Sequence, residues 1–406
     1  MIRLLLVLFY LNCVYCQFFG FPGFYDPYAI AWAQRESLKT CVVSTDYGDV
    51  VGECTSSITC ALHGGTATQA CGVNGICCHY PPKTKSCTAT SEGGVVEGKC
   101  ITDAKCKNSG GTPKGSCGFL EKCCVYDNSC NRITSSKVSY FTGKVTKTND
   151  ISSCPYTIYL ENTNVCQIRL DFESFKLASS KHDGSKYACS TDSFSIEPNH
   201  YGIPDMCGSN QNNHVYIHVH PGDSYVTLTM KLSKRSNVDL VDLPEWKIKV
   251  TQLQCGGNGK NDYLSQYDFP LLAPKGAIQY YTQSTGTIRS FGFNIDKSSS
   301  YTFNQNYAIA IRKDPGYCGA AFKAQTAHMQ IPTNSKNPEA DCKDYLSIPG
   351  LVDTQFNHLV KICKAHDFKS VVPGPLIINV HSEPQQTLDT APYEFRFDYE
   401  MLTACT

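Results

Sequence analysis

The chain has no net charge to spend on a charged partner: 36 Lys and Arg stand against 36 Asp and Glu in 406 residues. It also lacks any basic cluster able to follow a phosphate backbone, so nucleic acid is not an expected partner. Beyond its first residues it has no apolar run near the roughly 20 residues of a membrane-crossing helix, and no membrane span is expected. Absent too is an Asn-x-Ser/Thr sequon, which predicts a surface unshielded by N-linked glycan. There is no Gly-x-Ser-x-Gly elbow, no His-Glu-x-x-His and no phosphate-binding glycine loop. With no paired acid and base and no activated nucleophile in view, the chain reads as a non-enzyme with no cofactor. Long stretches of 3.6 periodicity are missing, which argues against a helical fold.

Cysteine is what the chain has in excess, at 24 residues. Cys41, Cys54, Cys60, Cys71 and Cys77-Cys78 recur 46 residues later as Cys87, Cys100, Cys106, Cys117 and Cys123-Cys124, gap for gap. Gly52 is echoed by Gly98, Gly64-Gly65-Thr66 by Gly110-Gly111-Thr112, and Tyr80 by Tyr126. Such a repeat is a cross-linked module, and it belongs where thiols stay oxidised. Residues 41–80 and 87–126 each hold few large apolar side chains. Neither could bury enough surface to fold unaided, and disulfides worth ~2–4 kcal/mol each would supply the difference. Spacing alone does not choose the connectivity.

The first residues agree with that compartment. Arg3, the apolar run Leu4 to Leu11 and Val14-Tyr15-Cys16 read as a signal peptide over residues 1–16, cleaved before Gln17. Cleavage would remove Cys13 and Cys16 and leave an even number of cysteines. Residues 17–40 form a leader with Phe18, Phe19, Phe21, Phe24, Tyr25, Tyr28 and Trp32, read as a flexible segment or as an adhesive one. Lys234-Arg235 falls in an expected loop, as solvated charge or a processing site.

From Cys130 the pattern has period two. Ile168, Leu170 and Phe172 alternate with polar residues, as do Val226, Leu228 and Met230, then Trp246, Ile248 and Val250, then Tyr393, Phe395, Phe397 and Tyr399. The fold class expected is all-β: two antiparallel sandwiches, residues 130–255 and 256–406, behind two small disulfide-rich modules. A fainter repeat sets Cys166, Cys189, Cys207 and Cys255 against Cys318, Cys342, Cys363 and Cys405. It predicts Cys189–Cys207 and Cys342–Cys363 as short loops, Cys166–Cys255 and Cys318–Cys405 as ties between early and last strands, and Cys130–Cys154 as one further pair.

These words carry a resemblance. A six-cysteine unit ending in Cys-Cys resembles the arthropod clip domain, whose pairing of first with fifth, second with fourth and third with sixth implies Cys41–Cys77, Cys54–Cys71 and Cys60–Cys78. In the second copy it implies Cys87–Cys123, Cys100–Cys117 and Cys106–Cys124. "VCQIRLDFESFKLA", "CSTDSF", "PDMCGSNQNNHVY" and "PEWKIKVTQLQC" resemble the CUB domain of secreted arthropod proteins. "GAIQYYTQSTGTIRSF" and "NQNYAIAIRKDPGYCG" are similar to that group's companion domain. Two departures stand out. Ala277 and Ala310 occupy positions where the companion domain has cysteines, which reads as the loss of one bridge. Ala178 occupies the slot where calcium-binding CUB domains place a Glu, leaving Asp192 and Asp344 as the single matching acid in each copy. One carboxylate is too few for a hard divalent cation, so no calcium site of that type is expected.

The densest polar constellation is "HVYIHVHP". On a strand, His214, Tyr216, His218 and His220 share one face. His218 and His220 have a spacing that lets two imidazoles reach one metal, with His214 reaching it only if the strand bends and with a further ligand needed from elsewhere. The plainer expectation is a solvent-facing strand rich in histidine. The function expected is that of a secreted extracellular binding or adaptor protein, acting on a protein or glycan, with regulation of protease cascades or innate immunity as its setting. A cuticle or matrix protein and a venom or salivary CUB protein are the alternatives, and the oligomeric state is left open.

Overall fold

The computed structural model describes residues 40–45, 48–62, 65–71, 75–79, 86–91, 94–118, 120–145, 153–233, 243–255, 268, 271–293, 300–314, 316–331, 341–372, 376–386 and 393–405. The expected signal peptide, leader residues 17–39 and Lys234-Arg235 lie outside them.

The two cysteine modules have one topology. The first consists of β1 (Thr40–Thr45), β2 (Gly48–Thr55), α1 (Ser57–Leu62), β3 (Thr66–Cys71) and β4 (Gly75–His79), in sheet order β1-β2-β4-β3. The second consists of β5 (Ser86–Ser91), β6 (Gly94–Thr102), α2 (Asp103–Asn108), β7 (Thr112–Gly118) and β8 (Glu121–Val125), in order β5-β6-β8-β7. Bridges join Cys41–Cys77, Cys54–Cys71 and Cys60–Cys78 in one, and Cys87–Cys123, Cys100–Cys117 and Cys106–Cys124 in the other. Each short helix exists to turn a cysteine inward: Cys60 and Cys106 are buried against Cys78 and Cys124. The echoed glycines mark where the chain passes closest to this cystine core. A Cβ on Gly52 would lie 2.8 Å from both Cys77 Sγ and the Cys78 carbonyl, and on Gly98 only 2.5 Å from the Cys124 carbonyl.

The first sandwich is built from β9 (Asp127–Asn128), β10 (Arg132–Thr134), β11 (Val138–Lys144), β12 (Ser153–Tyr159), β13 (Val165–Lys176), β14 (Lys181–His182), β15 (Tyr187–Ala188), β16 (Asp192–Glu197), β17 (His214–His218), β18 (Tyr225–Leu232) and β19 (Glu245–Gln254). Its sheets run β10-β12-β18-β16 and β17-β13-β19-β11-β9. The second contains β20 (Ala277–Tyr281), β21 (Thr285–Arg289), β22 (Asn306–Ile311), β23 (Gly319–His328), β24 (Tyr345–Ser347), β25 (Leu351–Asp353), β26 (Phe368–Val371), β27 (Leu376–His381) and β28 (Glu394–Leu402). Its sheets run β20-β22-β27-β24 and β21-β28-β23-β26-β25. The four-stranded sheets match strand for strand, down to the one parallel pair in each, β10 with β12 and β20 with β22, and the five-stranded sheets share four strands and differ at the edge, where β9 extends the first and β25 the second.

The alternating apolar residues read from the sequence fill these cores. Ile168, Leu170, Val226, Leu228, Met230, Ile248, Val250, Phe395 and Phe397 are fully buried. Burial of a side chain of this size stabilises by about 1.5–3 kcal/mol, which sets the register of each strand. The remaining bridges are Cys130–Cys154, Cys166–Cys255, Cys189–Cys207, Cys318–Cys405 and Cys342–Cys363. No described helix is long and apolar enough to cross a membrane.

The units are joined rather than strung out. β9, from residues just before the expected boundary at Cys130, pairs with β11 and ties the second module to the first sandwich. There the Tyr140 hydroxyl accepts the Glu97 N–H at 2.8 Å and Lys249 pairs with Glu97. A single apolar cluster runs through both sandwiches, and a second one lies between them, with Tyr216 and Leu253 from the first and Ala277, Tyr280, Ala308 and Ala310 from the second.

Candidate functional site at the seam between the sandwiches

β17 is the edge strand of a sheet whose outer face meets β20 and its neighbours. Period two sends Val215 and Ile217 into the first sandwich's core and His214, Tyr216 and His218 to the opposite face, as the sequence predicts. That face is not in solvent. All five residues of β17 are buried, so the solvent-facing reading is corrected: the histidines look into the second sandwich.

Each imidazole there has a protein partner. His214 Nε2 accepts the Tyr280 N–H at 2.9 Å and is therefore unprotonated. His218 Nε2 lies 2.8 Å from the Ala277 carbonyl, which can only accept, so this nitrogen carries the proton. Its Nδ1 faces Gln167 Nε2 at 3.4 Å. Burial, helped by the Arg169 charge, pushes His214 down to about 3 from 6.5. Burial pushes His218 down to about 4, against the pull of its bond to Ala277. Both rings are neutral at physiological pH.

The neighbouring strand completes the seam. Gln167 on β13 clamps the backbone of Ala273 with both ends of its amide, at 2.7 and 2.9 Å. The Tyr216 hydroxyl donates to the Leu271 carbonyl at 2.8 Å and accepts from Arg169, which is itself held on Asp171. Burial raises the Tyr216 phenol to about 12, so it stays a donor. Farther along, the arm β14–β15 reaches the second sandwich: His182 Nε2 donates to the Gln386 carbonyl at 2.8 Å, and Phe303 N–H donates to the Tyr187 carbonyl at 3.1 Å. In return, Asp268, from the stretch expected to start the second domain, accepts the Gln254 N–H and pairs with Lys137 of the first.

His220 lies past the strand and apart from the other two. Its ring stacks on His200, with centroids 3.8 Å apart, and the His220 backbone N–H donates to Asp223 Oδ2, which His200 Nε2 also contacts at 2.8 Å. The structure thus divides the three histidines expected to share a metal. His214 and His218 bind backbone of the second sandwich, and His220 belongs to an Asp223-centred corner. Among the described residues, the one set of three His, Cys, Asp or Glu ligand atoms within 4.8 Å of one another is Cys87, Cys100 and Cys117, whose sulfurs are in disulfides.

The two acids singled out in the sequence serve the backbone. Asp192 accepts the N–H groups of Ala178 and Ser233 at 2.9 and 3.2 Å. Asp344 accepts the Glu383 N–H and the Tyr301 hydroxyl, both at 2.8 Å. Each pins a loop beside the end of a core strand, β18 in one case and β27 in the other. Ala277 and Ala310 are not opposite each other: Ala277 registers with Ala308, and Ala310 with Tyr280. Their small side chains lie in the seam cluster, where they let the sheets approach.

The residues that the sequence did not mark are Gln167 and Arg169. Their alternation looked like a solvent face. No local signal separates them from solvated side chains, because the same strand carries Asp171 and Glu173 in that alternation.

No curated protein matches the chain. Similar solved structures include the CUB1-EGF-CUB2 domains of rat MASP-1, at 14% identity over 68% of this chain and 99% of that one, TM-score 0.24. Those of human MASP-1/3 are 15% identical over 66% and 100%, with the same TM-score of 0.24. The family resemblance read from the sequence covers residues 130–255 and, as a CUB-like companion, residues 256–406. Residues 274–402, the second sandwich from just before β20 to the end of β28, match the family model of the animal CUB domain.

Proposed function

We propose that the chain is a secreted, non-enzymatic extracellular binding protein of arthropod type, with two clip-like modules and two CUB-type sandwiches, that presents rigid surfaces to a partner. One observation carries this: eleven disulfides among the described residues, on a pair of sandwiches locked by a buried seam. Such cross-linking suits an oxidising compartment. A rigid tandem keeps the entropy cost of binding low, because its surfaces are ordered before a partner arrives. The animal CUB match supports a protein-binding role. Within this reading we favour an adaptor in an extracellular protease cascade, with the clip-like modules engaging a protease or its homologue.

The test is cross-linking of the folded, secreted chain in extracellular fluid of its source, with the captured partner identified and competed by excess unlabelled protein. Competable capture of a serine protease, protease homologue or serpin supports the adaptor role. Capture of a matrix component moves the protein to cuticle or matrix. No competable partner above a reduced and alkylated control overturns the binding reading.

A further inference from the structure

We propose that the outer face of β10-β12-β18-β16 in the first sandwich is a platform for a neutral, extended polysaccharide. The proposal rests on the extracellular binding reading and names the ligand class of one face.

In the second sandwich, the matching sheet turns Ala308 and Ala310 outward and buries them in the seam. In the first sandwich the same face remains open. Ile133 is 68% exposed, Tyr159 43% and Tyr225 48%. The two tyrosines pair across β12 and β18, with ring centroids 5.5 Å apart and planes tilted by 46°. Beside them, the Thr157 and Thr227 hydroxyls are 3.4 Å apart, and Thr229 continues the row along β18. From Tyr225 to Lys231 the strand extends about 20 Å. It ends at a polar cleft of about 220 Å³ lined by Ser190, Thr191, Ser193, Lys231 and Ser233 among others.

The chemistry of this face selects its ligand. A pyranose ring stacks its C–H face on an aromatic ring, and its hydroxyls exchange water for Thr and Ser hydroxyls that both donate and accept. Formal charge on this face is confined to its margins, with Glu197 and Asp205 along the β16 edge and Lys231 at the cleft end, and the Tyr159, Tyr225, Thr157, Thr227 and Thr229 row carries none. A neutral chain can therefore lie along the row without desolvating an unpaired ion. A polyanion would find no row of counter-charges, and a protein anchor would want a pocket where this face is open sheet. The face is not simply average surface. The outward row of β28 reads Glu394, Arg396, Asp398 and Glu400.

The experiment is depletion binding of the full secreted chain to insoluble chitin and to cellulose, with heparin as the polyanion control. Binding to a neutral polymer is expected, weakened about tenfold or more in the double variant Tyr159→Ala/Tyr225→Ala. Thr227→Glu, which keeps both rings and adds a charge to the row, should also weaken it. Glu400→Gln should not. Melting temperatures of all variants near wild type establish that they fold. Wild-type binding to neither polymer, equal binding by the double variant, or binding to heparin alone overturns the proposal. An identified protein partner still captured by the double variant, with no polymer bound, would overturn this proposal and leave the extracellular binding reading standing.

Discussion

The two sandwiches share a strand order apart from the edge strands β9 and β25, and they use their faces in opposite ways. In the second, the four-stranded sheet is covered and the five-stranded sheet faces outward with a charged row. In the first, the five-stranded sheet is covered, by the second sandwich on its β17-β13 side and by the second cysteine module on its β19-β11 side, and the four-stranded sheet is open. Inward residues specify the common topology, because every strand must bury its apolar set. Outward residues are free of that demand, and they decide which face finds a partner. Small Ala308 and Ala310 let a sheet approach, neutral His214 and His218 satisfy its backbone, and Thr157 and Thr227 leave the corresponding face hydrated.

The comparison can be broken first at the long bridges. Cys166–Cys255 and Cys318–Cys405 close loops of nearly equal length, with sequence separations of 89 and 87. Chain entropy alone assigns each about 4.6 kcal/mol. Cys166 and Cys255 also pack against the seam cluster, so Cys166→Ala/Cys255→Ala should lower stability more than Cys318→Ala/Cys405→Ala in denaturant melts. Equal losses would mean that the seam does not depend on that bridge.

Acid should act next, and on the seam. In the fold, His214 and His218 stay neutral to about 3 and about 4, whereas in the unfolded chain they charge below their ordinary 6.5. Between those values the unfolded state binds more protons, so stability falls as pH drops from 6.5 toward 4, and for His214 on toward 3. The slope per ring is at most about 1.4 kcal/mol per pH unit. Melts across this range should show it, and His218→Gln should flatten it; an unchanged slope would assign the acid response to other groups.

The paired acids come third. Asp344→Ala leaves the Glu383 N–H and Tyr301 hydroxyl without their acceptor, and Asp192→Ala does the same to the Ala178 and Ser233 N–H groups. Each should cost about 2–4 kcal/mol by thermal melting. Addition of calcium should restore neither variant. The smallest contrast is the most direct. Ala308→Leu overpacks the seam and should cost about 1–3 kcal/mol, whereas Thr157→Leu, on the corresponding open face, should stay within about 0.5 kcal/mol.

Much of this was legible in residues. The period-two runs from Ile168, Val226, Trp246 and Tyr393 predict the core strands, and all of them are buried there. The echoed Gly52 and Gly98 mark the close approach to the cystines. The histidine strand was legible in its facing and not in its surroundings. Period two tells which side chains share a face, but a sequence carries no direct sign of what lies 10 Å beyond that face. His214 and His218 therefore looked like solvent-facing groups or metal ligands, while their partners, Tyr280 N–H and the Ala277 carbonyl, are backbone groups that any residue could supply. The same holds for Asp192 and Asp344, whose partners are mostly backbone N–H groups.

The sequence by itself determined the all-β class, the two cross-linked modules of equal spacing and the inward set of each sandwich, because apolar periodicity and covalent spacing are local properties of a chain. Only the tertiary structure decided which sheet faces meet and which stay open. That choice depends on the summed fit of side chains distant in sequence, Tyr216 against Ala308 and Ala310, Gln167 against Ala273, and no local pattern contains it.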